Sequence, residues 1–205
     1  MAVKNKELDP IIIKEAKEEF IRHGFQKASL HTIAKNAGIT TGALYTRYKN
    51  KDDLFCSLVR DVLEDMKTKS YHCASLYEKV MEERSSEAFL NAIKAEEKVY
   101  LDILFEHYDE CLLLFCCSDG SSIGDMINVM MKQKSQQTIS FFQSIAKNDI
   151  DMDGITLIMS EQFFYYRKIL EYGYDKDKAI SCMKTVELFL EAGWKKLFEE
   201  MLDSK

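Results

Sequence analysis

One proline and eight glycines in 205 residues are too few for the many tight turns of a β-sandwich or small barrel. That scarcity excludes the common all-β classes and makes an all-α fold the expectation. No apolar run approaches the roughly 20 residues that span a bilayer, and the opening MAVKNKELDP has no apolar h-region of a signal peptide. The chain reads as cytoplasmic, with no membrane partner. Its six cysteines, Cys56, Cys73, Cys111, Cys116, Cys117 and Cys182, form no C-x-x-C pair, which excludes zinc-ribbon and dithiol frames and leaves reduced thiols as the expectation. Also missing are a Gly-rich phosphate loop, an H-E-x-x-H and a nucleophile elbow. These absences argue against an enzyme, so no catalytic residue, cofactor or metal site is expected. The remote alternative is an enzyme built on Cys111, His107 and the nearby carboxylates.

What the sequence does carry is an uneven charge. The whole chain is at −6, yet residues 1–50 hold nine Lys/Arg against five Asp/Glu, a net +4. A basic end on an acidic protein directs attention to nucleic acid. Asp9-Pro10 predicts a helix start, and Gly24 its left-handed stop; Ile13, Ala16 and Phe20 are read as its buried face. Ser29 caps a second helix in which Leu30, Ile33, Ala34 and Ala37 recur at i, i+3, i+4 and i+7, ending at Gly38. Thr40 caps a third, Thr41 to about Tyr48. In it Leu44 and Tyr48 turn inward and leave a small, hydroxylated, basic face outside. The sum is helix, turn, helix. Asn50 and Asp53 then start a long fourth helix by a capping-box-like exchange. Further helices are predicted near 86–107, 109–117, 123–147, 154–172 and 176–203. Lys4 and Lys6 are read as a solvated basic terminus.

The stretch ASLHTIAKNAGITTGALYTRYKNKDDLF, residues 28–55, resembles the DNA-binding region of the TetR family of bacterial transcription regulators. The likeness lies in T-I-A-x-x-A-G-I-T-x-G-A-L-Y, in the Tyr-x-x-Tyr spacing of Tyr45 and Tyr48, and in K-N-K-D-D-L-F, all in register. It implies an N-terminal three-helix helix-turn-helix module followed by a larger C-terminal helical ligand-binding and dimerisation domain. The boundary falls at 1–51 and 52–205, with 52–73 as the connecting helix. It also implies roles on DNA. Thr41, Gly42, Ala43, Tyr45 and Arg47 fall on the groove-facing helix, Thr40, Tyr45 and Lys51 on phosphate-contacting positions, and His31 and Thr32 on positions that touch backbone or base. Base readout then rests on Thr41, Thr46 and Arg47, with Arg47 the candidate for guanine.

For the remainder, the resemblance implies a cavity for an unidentified small-molecule effector. Aromatic and polar side chains on the amphipathic helices are its candidate lining: Tyr100, Phe105, His107, Cys111, Phe115, Phe141, Phe142, Phe163 and Tyr166. His107 and Cys111 stand at i, i+4, but a metal needs three or four ligands. The last helix has an apolar arc wider than one intramolecular core requires. Ile169, Leu170, Met183, Val186, Leu190, Gly193, Trp194 and Leu197 are therefore expected at a four-helix interface with a second copy. The expected function is a homodimeric, sequence-specific DNA-binding regulator, a repressor released from a palindromic double-stranded operator by its effector. The alternative is a constitutive DNA binder acting through a protein partner.

Overall fold

The computed structural model describes residues 8–147 and 150–202. Lys4, Lys6 and the Cys73 side chain lie outside the described residues. Those described form helices joined by short turns, with no strand among them. The helices are α1 (Leu8–Lys27), α2 (Leu30–Asn36), α3 (Thr41–Tyr45), α4 (Lys51–Glu83) and α5 (Ser86–Glu106). Then follow α6 (Tyr108–Cys116), α7 (Ser122–Ile145), α8 (Met152–Ser160), α9 (Gln162–Glu171) and α10 (Lys176–Leu202).

The all-α expectation holds, and most ends fall where caps and glycines place them. Gly24, at φ 69° and ψ 166°, interrupts α1, a left-handed conformation that a Cβ would strain. Three details differ from the sequence reading. The buried stripe of α1 begins at Ile12, with Ala16 and Phe20, rather than at Ile13, because i, i+4 spacing aligns Ile12 with Ala16. Helix α3 stops at Tyr45, since the Thr46 hydroxyl donates to Ala43 O at 2.7 Å and takes up a carbonyl at the helix end. The single helix predicted over 154–172 breaks at Glu161. There Ser160 Oγ donates to Leu157 O at 2.8 Å and Phe164 N donates to Glu161 O at 3.0 Å, so the α-helical ladder is diverted.

The chain forms two compact units. One comprises residues up to Leu63 with His107–Asn128; the other comprises Glu64–Glu106 with residues from Val129 onward. These units divide elsewhere than at residue 51, because long-range bonds tie α6 and the start of α7 to the first three helices. Phe25 N donates to Cys117 O at 2.8 Å, Lys17 pairs with Glu110, and Asp52 accepts from Ser122 N at 2.9 Å and Ser122 Oγ at 2.6 Å. Gly124 lets the turn between α6 and α7 close on itself, for a Cβ there would meet Ser118 O at 2.5 Å. The centre of this unit is a ring cluster in which Phe55 lies 5.0 Å from Phe20 and 5.3 Å from Phe25.

In the second unit the core joins Phe89 of α5, Phe141 and Phe142 of α7, Ile155 and Met159 of α8, and Trp194, Phe198 and Met201 of α10. Phe142 stacks on Trp194 with centroids 5.4 Å apart and 7° between planes. The described cysteines, Cys56, Cys111, Cys116, Cys117 and Cys182, are free thiols.

Candidate nucleic-acid interface

The turn between α2 and α3 is built from two caps. Ser29 Oγ accepts from Thr32 N at 3.3 Å and Thr40 Oγ1 from Ala43 N at 3.1 Å, satisfying N–H groups that no helical carbonyl reaches. Leu44, Ile33 and Ala34 are buried beneath them. Two short helices are thereby held by one apolar seam, and their remaining side chains point away from it. His31, Thr40, Gly42, Tyr45 and Thr46 are exposed, while Thr32, Thr41 and Ala43 are half-buried. Tyr45 shows 53% of its surface, with its hydroxyl open to a partner on the outer face of α3. Thr41 Oγ1 and His31 Nδ1 share a hydrogen bond of 3.5 Å that links the starts of the two helices.

The two cations expected to touch DNA have partners within the module. Arg47 donates from Nε to Asp9 Oδ1 at 3.0 Å and from Nη1 to Ala43 O at 3.2 Å, so its guanidinium binds the end of α3 to the first turn of α1. Lys51 donates from Nζ to Gln26 O at 3.0 Å and Ala28 O at 3.3 Å, with the Phe25 ring centroid 4.8 Å away. A cation on the last carbonyls of α1 suits that end of the helix. Other cations of the module are exposed: Arg22, Lys27, Lys35 and Lys49. No ion pair holds these four among the described residues. They belong to the basic surplus of residues 1–50, but their individual positions carried no motif.

Glu19 was also missed. Its carboxylate, buried on the core face of α1, accepts from Ser29 N at 2.9 Å and lies 3.8 Å from His23 Nε2. It secures the start of α2. A glutamate beside Phe20 reads in sequence as one more surface charge, and only the approach of residue 29 gives it a buried partner.

The remaining candidates separate. His107, Cys111 and Phe115 belong to the first unit, whereas Tyr100, Phe105, Phe141, Phe142, Phe163 and Tyr166 belong to the second. Burial pushes the Cys111 thiol up to about 12, and a thiol so held is not a nucleophile at neutral pH. Phe141 and Phe142 lie in the ring core. Tyr100, Phe163 and Tyr166 instead line a small cavity together with Glu96, Glu97 and Tyr165. Among the residues expected between two copies, Ile169, Leu170, Met183 and Trp194 are buried within their own unit. Val186, Leu190 and Leu197 are half-buried and Gly193 is exposed. The apolar side chains that these helices leave exposed are different ones: Leu157, Phe164, Leu188 at 73% and Phe189 at 77%.

Residues 12–58 match the family model described as bacterial regulatory proteins, tetR family. The HTH-type transcriptional regulator YhgD of Bacillus subtilis is 31% identical over 70 residues, 34% of this chain and 35% of that protein. The fatty acid metabolism regulator protein of the same organism is 33% identical over 67 residues, 29% of this chain and 34% of that protein. The alignments thus span about a third of these relatives' length. Over 90% of this chain and 95% of the other, the fold is similar to NalD, secondary repressor of the MexAB-OprM multidrug efflux pump in Pseudomonas aeruginosa, with a TM-score of 0.57 and 13% identity. No helix among the described residues is long and apolar enough to cross a membrane.

Proposed function

We propose, from the premise that the N-terminal module of this chain is a tetR-family helix-turn-helix, that the protein is a homodimeric, sequence-specific transcription regulator. In this reading residues 1–51 bind operator DNA. Residues 52–205 bind a small-molecule effector and dimerise, and effector binding releases the operator. The observation that carries it is the capped α2–turn–α3 unit, whose buried Leu44 leaves Tyr45, Thr46 and the hydroxyls of Thr40 and Thr41 on the outside of a basic module. Such a helix enters the major groove, where base edges present a distinct pattern of donors and acceptors. Thr41 and Thr46 supply hydroxyls to base edges, Tyr45 and Thr40 to phosphate, and the exposed lysines neutralise backbone charge. The test is fluorescence anisotropy on the DNA upstream of the protein's own coding sequence and on a scrambled duplex, at about 50 and 200 mM salt. Selective binding that weakens steeply with salt is expected. Equal, weak binding to both duplexes would count against the reading.

Arg47 has a defined part in it. Because its guanidinium holds α3 to α1 through Asp9, Arg47→Ala should weaken binding to operator and scrambled DNA alike, by about tenfold (about 1.4 kcal/mol), and Asp9→Ala should do the same. A loss confined to one base pair of the operator, with Asp9→Ala without effect, would instead make Arg47 a reader of that base.

Dimerisation rests on a physical argument. One short recognition helix reads too few base pairs for useful specificity, and two-fold sites need paired half-sites. Leu188 and Phe189 on α10, with Leu157 on α8 and Phe164 on α9, are exposed apolar side chains, of which the adjacent pair on α10 is what a second copy would cover. Leu188→Glu combined with Phe189→Glu should convert the dimer to a monomer in sedimentation equilibrium and abolish selective DNA binding. A doubly substituted protein that stays dimeric would place the interface elsewhere.

A further inference from the structure

We propose that the cavity formed by α5, α9 and α10 receives the cationic group of the effector, an ammonium or amidinium head on an apolar body; this rests on the effector reading above. The cavity combines carboxylates with ring faces. Glu96 and Glu97 reach it from α5 beside Tyr100, and Phe163, Tyr165 and Tyr166 reach it from α9. The rings are set at steep angles: Tyr100 meets Tyr166 at 63° with centroids 5.6 Å apart and Phe163 at 60° with centroids 6.2 Å apart. Ring faces present negative potential to a cation. Tyr100 also donates its hydroxyl to Glu96 Oε1 at 3.2 Å, which fixes that carboxylate against the wall.

Among the described residues, no lysine, arginine or histidine lines the cavity. Lys94, the cation that acts on Glu97, is drawn to α10 by Glu187 at 3.0 Å and Glu191 at 2.9 Å. Glu97 makes no ion pair among the described residues. Burial first, and the like charge of Glu187 second, push its carboxyl up to about 7 against a smaller opposing pull from Lys94. Tyr166 lines the same cavity at 8% exposure, and its hydroxyl makes no hydrogen bond among the described residues. A bound cation would meet all three features: it pairs with Glu97, sits against the rings, and brings N–H donors within reach of the Tyr166 oxygen. An anion would face two carboxylates, and a neutral hydrocarbon would bury Glu97 unpaired. The cavity measures about 30 Å³, so it takes a head group while the apolar body extends outside it.

The test is isothermal titration of the full chain with benzylammonium, its neutral isostere ethylbenzene, and phenylacetate. Saturable binding of the cation, at least about tenfold tighter than either other probe, is expected. Glu97→Gln, folded by circular dichroism, should lose at least about tenfold in cation affinity, and Phe163→Ala should lose affinity as well. Unchanged cation binding by Glu97→Gln, equal or tighter binding of phenylacetate, or no binding of any probe would overturn the proposal. Operator anisotropy with each probe separates this claim from the one beneath it. Cation binding that depends on Glu97 but leaves DNA affinity unchanged supports the site and counts against release by effector. DNA release by laurate without cation binding supports release by effector and overturns the cation site.

Discussion

Phe89→Ala should cost the second unit about 3–5 kcal/mol, the range for truncating a buried aromatic where the surroundings cannot close the cavity. Phe89 is 1% exposed. Its ring lies 5.1 Å from Phe142, 5.2 Å from Trp194, 5.4 Å from Phe198 and 6.1 Å from Phe141, so it is the point at which α5, α7 and α10 share one core. Each aromatic pair is worth about 0.5–1.5 kcal/mol beyond the area buried, and the pairs are too close to add independently. Alanine leaves a void walled by rings that are themselves locked by their neighbours. The measurement is urea unfolding at fixed protomer concentration, followed by the fluorescence of the single tryptophan, Trp194. A midpoint far below that of the parent protein, with a similar slope, is expected. A shift worth less than about 1 kcal/mol would mean that the rings repack around the gap.

Glu97 gives the second large effect, and it depends on pH. The carboxyl is raised from 4.5 to about 7 in the folded protein, by burial and then by Glu187, against a smaller opposing pull from Lys94. Below pH 4.5 both folded and unfolded chains hold the proton, and the residue costs nothing. Between pH 4.5 and 7 the unfolded chain ionises while the folded chain stays protonated, so stability falls as pH rises. Above pH 7 the loss is complete. A full shift of this size corresponds to about 3 kcal/mol, and partial solvent access to a half-buried group brings the expectation to about 1–3 kcal/mol. Glu97→Gln should therefore leave urea stability unchanged at pH 4 and raise it by that amount at pH 8. The groups facing Glu97 are Glu187 from α10, Lys94 from its own helix and Tyr166 from α9, so Glu187→Gln should recover a smaller part of the same gain. An equal effect of Glu97→Gln at both pH values would sink the argument. The same variant that weakens cation binding would thus stabilise the empty protein, the signature of a charge retained for a ligand rather than for folding.

The N-terminal helix-turn-helix module was the most legible part of the chain, since its determinants are local. Ser29 and Thr40 cap their helices from three residues away; Asn50 and Asp53 cap α4 in the exchange expected of them, Asp53 N donating to Asn50 Oδ1 and Lys49 N to Asp53 Oδ2, each at 2.8 Å. The candidate cavity was half legible. Tyr100, Phe163 and Tyr166 were expected at an effector site, but so were Phe141 and Phe142, which form the core. Glu96 and Glu97 carried no signal, because a carboxylate pair on an amphipathic helix reads as a solvated face until a second helix covers it.

The amino-acid sequence by itself determined most helix starts, that helices pack by apolar stripes, and that residues 8–50 form a basic helix-turn-helix. Each of these follows from interactions between residues at most four positions apart, which a chain specifies before it folds. The tertiary structure alone decided which faces meet. On α10 it turned Trp194 and Phe198 inward and left Leu188 and Phe189 outside, although a hydrophobic pattern would place Leu188 and Phe189 inside as readily. It took Arg47 to Asp9, 38 positions away, and Lys51 to the carbonyls of Gln26 and Ala28, where the family resemblance assigns both to DNA. The reason is physical. Hydrophobicity is non-directional, and a charge bonds whichever opposite group comes within reach, so neither names its partner until distant segments have been packed together.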